Sequence, residues 1–284
     1  MRFLPPHLFA TAALDGKPLD CEPVFMQRHI LIFGMGYTAT RLADRLRADG
    51  WLVTGTRRMS GGDAVAFDDE AAVRTAFDNA THILSSVPPM GEGGDPVLQK
   101  YGAAIAASAV SWTGYLSSTG VYGDTGGAWV DESAPVGEGR RTARAQADLA
   151  WQVLRNDVRV FRLPGIYGPG RSALERVTDG KAHRIDLPGQ IFSRIHVDDI
   201  VSGVIASFDG PPGIYNLADD LPCPQNRVIE AACALLKVAP PPLMLCVDEV
   251  AGANPNVTLS RHLPRNNAMP WNFVVLRLVA VFAT

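Results

Sequence analysis

His29-Ile30-Leu31-Ile32-Phe33-Gly34-Met35-Gly36-Tyr37-Thr38-Ala39 is the stretch on which the reading of the whole chain turns. Its first five residues form the unbroken, mostly apolar run that a central parallel strand needs when both of its faces are covered. A glycine turn follows at once. Next, Ala39, Leu42, Ala43 and Leu46 recur at helical spacing, and Gly50 stands where a helix C-cap is expected. The pattern Gly34-x-Gly36-x-x-Ala39 is weak by itself. Its position between an apolar strand and an amphipathic helix makes it specific for a dinucleotide site. Gly34 permits the tight turn, Gly36 lets the backbone approach a pyrophosphate, and Ala39 keeps helix and strand close. Tyr37 and Thr38 complete the loop, whose unpaired N–H groups and positive helix end suit a diphosphate. A glycine-rich turn with no ligand is the competing reading.

Outward from this unit, apolar runs at 52–56, 64–67, 82–86, 115–118 and 158–163 alternate with helical stretches centred near 75, 104 and 148. Parallel neighbours require crossover connections, which usually carry helices. The expected fold is therefore α/β, a Rossmann-type doubly wound parallel sheet, with a small C-terminal substrate-side subdomain. Residues 1–26 read as a poorly ordered extension, with Met26 as an alternative start, and 27–165 as the nucleotide-binding core. Residues 166–284 read as mixed core and substrate-side segments.

Composition narrows the partners. The 284 residues include 47% hydrophobic positions, enough for a sizeable core. Lys and Arg total 26 against 29 for Asp and Glu, so no global positive field concentrates nucleic acid or anionic membrane. Cys21, Cys223, Cys233 and Cys246 make no Cys-x-x-Cys pair, and the six histidines show no metal-ligand spacing. No metal is expected. The apolar run 273–283 is too short for a membrane helix and contains Arg277. A cytoplasmic protein acting on a small molecule, as a monomer or homodimer, fits these features.

At the end of the second strand an NAD site usually offers an Asp or Glu to the ribose. Thr56-Arg57-Arg58 stands there instead, and two guanidinium groups suit a 2′-phosphate, which favours NADP over NAD. A solvated strand end is the plainer alternative. Asp68, just after the third strand, is a candidate acceptor for the adenine amino group, with a simple turn aspartate as the alternative. Ser86, at the end of the fourth strand, joins the candidate cofactor residues.

Three further stretches carry a resemblance. Tyr115-Leu116-Ser117-Ser118-Thr119-Gly120-Val121-Tyr122-Gly123, Arg162-Leu163-Pro164-Gly165-Ile166-Tyr167-Gly168-Pro169-Gly170 and Ile195-His196-Val197-Asp198-Asp199-Ile200 resemble the extended short-chain dehydrogenase/reductases of the NAD-dependent epimerase/dehydratase family. With the glycine loop and Tyr215-Asn216-Leu217 they follow that family's order from about residue 29 to 240. The resemblance implies a nicotinamide cofactor and a hydroxyl or carbonyl substrate, including the nucleotide-sugar class, for an oxidoreductase or epimerase-like enzyme. It also implies that Ser118 is the catalytic hydroxyl. If Asp148 matches the family's acid on the next helix, Arg144 occupies its lysine position and Arg140 its tyrosine position. The Tyr-x-x-x-Lys pair is absent, as in the atypical branch of the superfamily, and arginine is a poor proton shuttle. A non-catalytic NAD(P)-binding sensor is therefore the alternative function.

Tyr122 and Tyr167 are candidates to replace the missing acid, against packing with one hydroxyl bond. Arg194 is a candidate for a substrate anion. His196 reads as a turn-fixing residue, and Asp131 with Glu132 as a solvated loop. Residues 257–284 depart from the family pattern. A frameshifted or truncated end, a divergent strand and an oligomer contact all fit them.

Overall fold

The computed structural model describes residues 27–245 apart from 92–93, 124, 126–127, 138–141 and 187–190, together with 275–276. The extension expected over 1–26, and the segment 257–284 apart from 275–276, lie outside the described residues. The chain begins with β1 (His29–Phe33), α1 (Tyr37–Ala48), β2 (Leu52–Arg57), β3 (Ala64–Ala66), α2 (Glu70–Asn79), β4 (His82–Ser85), α3 (Pro96–Ala107) and β5 (Trp112–Ser118). After a 3₁₀ turn at Thr119–Tyr122 come β6 (Trp129–Val130), α4 (Thr142–Leu154), β7 (Val158–Leu163), β8 (Gly165–Tyr167) and α5 (Ala173–Thr178). The remaining elements are β9 (Arg184–Asp186), β10 (Arg194–His196), α6 (Val197–Ala206), β11 (Gly213–Asn216), α7 (Gln225–Leu236), β12 (Leu243–Leu245) and β13 (Val275–Leu276).

Seven strands form one sheet in the order β11-β7-β5-β4-β1-β2-β3, and every neighbouring pair is parallel. The two-residue period of β1 builds both sides of the core. Ile30 and Ile32 pack with Leu42 and Leu46 of α1 and with Ile200 and Val204 of α6. Leu31 and Phe33 face the other way, onto Val73 of α2, Val97 and Ile105 of α3, and Trp151 of α4. All five β1 residues are buried, as a strand covered on both faces requires. Strand order reverses between β1 and β4, and the crevice at such a switch point is where open α/β sheets bind ligands.

Two differences from the expected elements have local causes. β5 starts at Trp112, three residues early, because Gly114 has no side chain. An added Cβ there would lie 2.2 Å from the Trp112 ring, which occupies that space and donates from Nε1 to the Ser207 carbonyl at 3.1 Å. β11 is a sheet strand, whereas its residues had been noted only as a motif. Short parallel pairs β8–β10, β9–β12 and β6–β13 lie outside the main sheet. The last of these is a pairing of 275–276 with 129–130. Among the described residues no helix is long and apolar enough to cross a membrane.

Candidate functional site

The turn after β1 is fixed from its two neighbouring strands, β2 and the end of β4. Gly34 N–H donates to Thr56 Oγ1 at 3.1 Å, and Ser86 Oγ donates to the Gly34 carbonyl at 2.5 Å. Met35 N–H donates to the Thr56 carbonyl at 2.9 Å. Gly34 has φ of +88°, and a Cβ there would sit 2.8 Å from Val87 Cγ2, so conformation and space both demand glycine. Gly36 is different, since an added Cβ would meet nothing within 4 Å. It N-caps α1 without any side-chain hydrogen bond, and the first helical bond is Thr40 N–H to the Gly36 carbonyl. The preceding amides of Tyr37, Thr38 and Ala39 have no helical carbonyl to reach. Open space, uncapped N–H groups and a positive helix end therefore coincide, which is the fit a diphosphate needs. Ala39, 1% exposed, packs the helix onto the strand.

Arg57 and Arg58 are exposed at the end of β2 and line a cleft of about 560 Å³ with Met35, Thr40 and Ala64. Among the described residues neither guanidinium is paired with a carboxylate. Their neighbour Arg47 is, with Asp44 and Asp63. Two residues of the candidate cofactor set do other work. The Ser86 hydroxyl proton goes to the Gly34 carbonyl, so the residue shapes the turn. Asp68 Oδ1 accepts from Lys100 Nζ at 2.8 Å, which ties β3 to α3. Thr56, 1% exposed, holds the turn through its hydroxyl, a role that a small hydroxyl residue opposite the glycine turn signals.

At the carboxyl end of β5, Ser118 is half-buried and its Oγ accepts from Gly120 N–H at 3.2 Å, opening the 3₁₀ turn. Its own O–H remains available for another acceptor. Tyr122 is placed otherwise than a proton donor requires. Its buried hydroxyl donates to Asn216 Oδ1 at 2.7 Å and accepts from Arg162 Nη1 at 2.9 Å. Burial raises its pKa, opposed by Arg162. Arg162, 1% exposed, also makes a two-pronged pair with Asp148, through Nε at 3.2 Å and Nη2 at 2.8 Å. Ser117 Oγ donates to the same carboxylate at 2.5 Å, and Gln152 Nε2 does so at 2.6 Å. Glu132 is no solvated loop residue, because its Oε1 accepts from Asn216 N–H at 2.8 Å. Asp148 thus locks α4 against β5 and β7.

Arg144 is half-buried on the first turn of α4, one turn before Asp148, while Arg140 lies outside the described residues. Tyr167 packs edge-on against His196, with ring centroids 5.2 Å apart. Burial and a hydrogen bond to Asp219 push its pKa up to about 12, which disfavours it as an acid or base near neutrality. Arg194 points into the protein, not toward an open anion site. Its Nη1 donates to the Phe192 and Cys223 carbonyls at 3.1 Å each, and Nη2 donates to Gln225 Oε1 at 3.0 Å. His196 Nδ1 accepts from Asp198 N–H at 3.2 Å and caps α6, the turn-fixing role its sequence context suggested.

No protein-family model matches the chain. A curated relative, protein YeeZ of Escherichia coli strain K12, is 26% identical over 255 residues, covering 79% of this chain and 90% of YeeZ. Among solved structures, a functionally unknown conserved protein from Silicibacter pomeroyi DSS is 40% identical. That match has a TM-score of 0.68 and covers 81% of this chain and 85% of that one. The dTDP-glucose 4,6-dehydratase of Bacillus anthracis str. Ames, solved with NAD, is 15% identical with a TM-score of 0.63 over 78% of this chain and 86% of its own. At that identity the likeness speaks for the fold alone. The chain therefore belongs to one family with the Silicibacter pomeroyi protein, and it shares its fold with the Bacillus anthracis dehydratase.

Proposed function

We propose that this protein binds NADP(H) in the crevice at the carboxyl end of β1 and works as an oxidoreductase or epimerase-like enzyme on a small hydroxyl or carbonyl substrate. The carrying observation is the uncapped amino end of α1 behind Gly36, with Arg57 and Arg58 close by and no carboxylate on either among the described residues. A solved neighbour carries NAD, and in this chain the two arginines favour the 2′-phosphorylated form. Bound there, a nicotinamide dinucleotide supplies or accepts hydride. Ser118 has a donor left to orient a reacting oxygen, and Arg144 can stabilise negative charge nearby. Neither arginine nor Tyr122 exchanges a proton readily near pH 7, so the proton passes through water or the substrate itself.

A second reading is favoured by one observation. The Tyr122 hydroxyl is committed to Asn216 and Arg162, and Tyr167 is held to Asp219, which suits a protein that binds the dinucleotide without turning it over. Calorimetric titration with NADPH and NADH tests the shared part of both readings. Wild type binds and Gly36→Val does not, while circular dichroism stays unchanged. Undiminished affinity in the variant, or no binding by wild type, overturns the assignment. Following NADPH absorbance over a panel of aldehydes, ketones and nucleotide sugars separates enzyme from sensor. An enzyme loses about a hundredfold in turnover on Ser118→Ala, whereas a sensor shows no turnover to lose.

A further inference from the structure

The turn that follows β8 is built to sit on the first residue of α1. Tyr37 donates its hydroxyl proton to the Pro169 carbonyl at 2.9 Å. Gly168 lies so close that an added Cβ would be 2.7 Å from that hydroxyl and 2.7 Å from Val197, and its φ of +151° lies outside the usual range of other residues. Arg171 N–H closes the turn on the Gly168 carbonyl at 2.9 Å. Glu175 then stiffens it, because Oε1 accepts from Gly170 N–H at 2.6 Å and Oε2 from Ser172 N–H at 2.7 Å. Farther along, Arg41 of α1 grips Asp198 of α6 through Nε at 2.8 Å. The substrate-side segments are thereby fastened to the helix that carries the dinucleotide loop.

Arg171 is what this turn delivers. Its guanidinium carbon stands 5.8 Å from the centroid of the Tyr37 ring, and Tyr37 is the residue immediately after Gly36. Among the described residues the guanidinium has no carboxylate or carbonyl partner. The nearest acid in sequence, Glu175, is spent on backbone amides, and Asp198 is spent on Arg41. An exposed cation with no carboxylate among the described residues thus stands over the ring of the first residue of α1, whose first amides have no helical carbonyl to reach. Like charges brought together this way repel, and an anion between them relieves both. The rigidity of the turn argues against a side chain placed there by chance, since its glycine, Tyr37 contact and Glu175 brace all act to fix its position.

We infer that Arg171 is a second anion-binding group of the dinucleotide site, supplied by the substrate side of the molecule to the cofactor's diphosphate. The inference rests on the dinucleotide reading above. It assigns Arg171 and Arg57/Arg58 to different phosphates: the diphosphate common to NAD and NADP in the first case, the 2′-phosphate in the second. Cofactor binding then adds a contact to a turn already seated on α1, which links cofactor occupancy to the substrate side.

Calorimetry with ADP, adenosine, NADH and NADPH on wild type, Arg171→Ala and Arg171→Lys tests this. Arg171→Ala is expected to weaken ADP, NADH and NADPH alike by about tenfold, with adenosine unaffected and the lysine variant recovering part of the loss. Unchanged ADP affinity in Arg171→Ala makes the residue a solvated surface arginine and overturns the inference, leaving the dinucleotide reading intact. A loss confined to NADPH, or one that includes adenosine, overturns it as well. Failure of wild type to bind any of the four removes the dinucleotide reading itself, and the inference with it.

Discussion

Arginine is used in two opposite ways at the carboxyl end of the sheet. Around Arg162 the guanidinium is sealed from water and its donors go to Asp148, to the Tyr122 hydroxyl and to the Glu132 carbonyl. At the glycine loop, Arg57, Arg58 and Arg171 stand in the open with no carboxylate on them among the described residues. The first cluster is complete in itself and the second is complete only with an anion. Residue type does not distinguish structure from function here. What distinguishes them is whether the protein has already answered the charge.

The sealed cluster should therefore break by unfolding, not by losing a ligand. Removing one member of a buried pair strands the other charge in low dielectric, at a cost of about 3–5 kcal/mol. Asp148→Ala is expected to lower stability by that amount in urea titrations, the largest effect foreseen for any single change in the molecule. Replacing Asp148 and Arg162 together by apolar residues of similar size should cost less than Asp148→Ala alone. If the single variant stays within about 1 kcal/mol of wild type, the network is not the strut between α4 and the sheet that its geometry describes.

The contrast also separates what the sequence disclosed from what it hid. The open site was legible because its chemistry is local. Strand, glycine turn and helix occupy consecutive residues, and Arg57 and Arg58 fall at the end of the next strand. The sealed cluster was hidden because its partners are scattered. Arg162 is 14 residues from Asp148 and 40 from Tyr122, and Tyr122 is 94 from Asn216. Motif reading consequently offered Tyr122 as an acid and Glu132 as a loop residue, when packing had given both hydrogen-bond partners inside the protein. The Ser86 bond was hidden for a related reason, since a serine at a strand end looks the same in sequence whether its proton goes to a ligand or to the Gly34 carbonyl. The sheet itself was legible down to β7. β11 was missed as a strand because the four residues Gly213–Asn216, directly after Pro211-Pro212, carry too short a pattern to separate strand from turn.

A second sealed region lies at the opposite end of the strands and gives a pH test of the same distinction. His82 opens β4 with its ring among Trp51, Trp112 and Phe208, at centroid distances of 4.7, 5.9 and 4.8 Å. Burial, helped by the charges of Arg28 and Arg159, lowers its pKa to about 4. The unfolded chain takes up this proton near pH 6.5, while the folded one refuses it until about pH 4. The stability that depends on neutral His82 is thus fully present above pH 6.5 and is lost as pH falls toward 4. The full span is worth up to about 3 kcal/mol. His82→Phe should flatten this slope, leaving a smaller one from His29, whose pKa burial also lowers. An unaltered pH dependence in the variant would place the titrating group elsewhere.

The open cluster should respond in the reverse sense, with selectivity changing and stability holding. Among the described residues Arg57 and Arg58 touch no carboxylate, so replacing both with alanine removes no ion pair seen there, and thermal unfolding should stay where it is. What disappears is the pair of charge-assisted contacts available to a 2′-phosphate. Because both side chains are exposed, solvent screening keeps the expected loss modest, at about tenfold or somewhat more in NADPH affinity, with NADH changed little. Salt sharpens the test. A contact between exposed charges weakens as ionic strength rises, so the NADPH advantage of wild type should shrink in high salt and that of the double variant should not respond. Equal losses for the two cofactors would move these arginines to a phosphate that both share, and a wild-type preference for NADH would make them a solvated strand end.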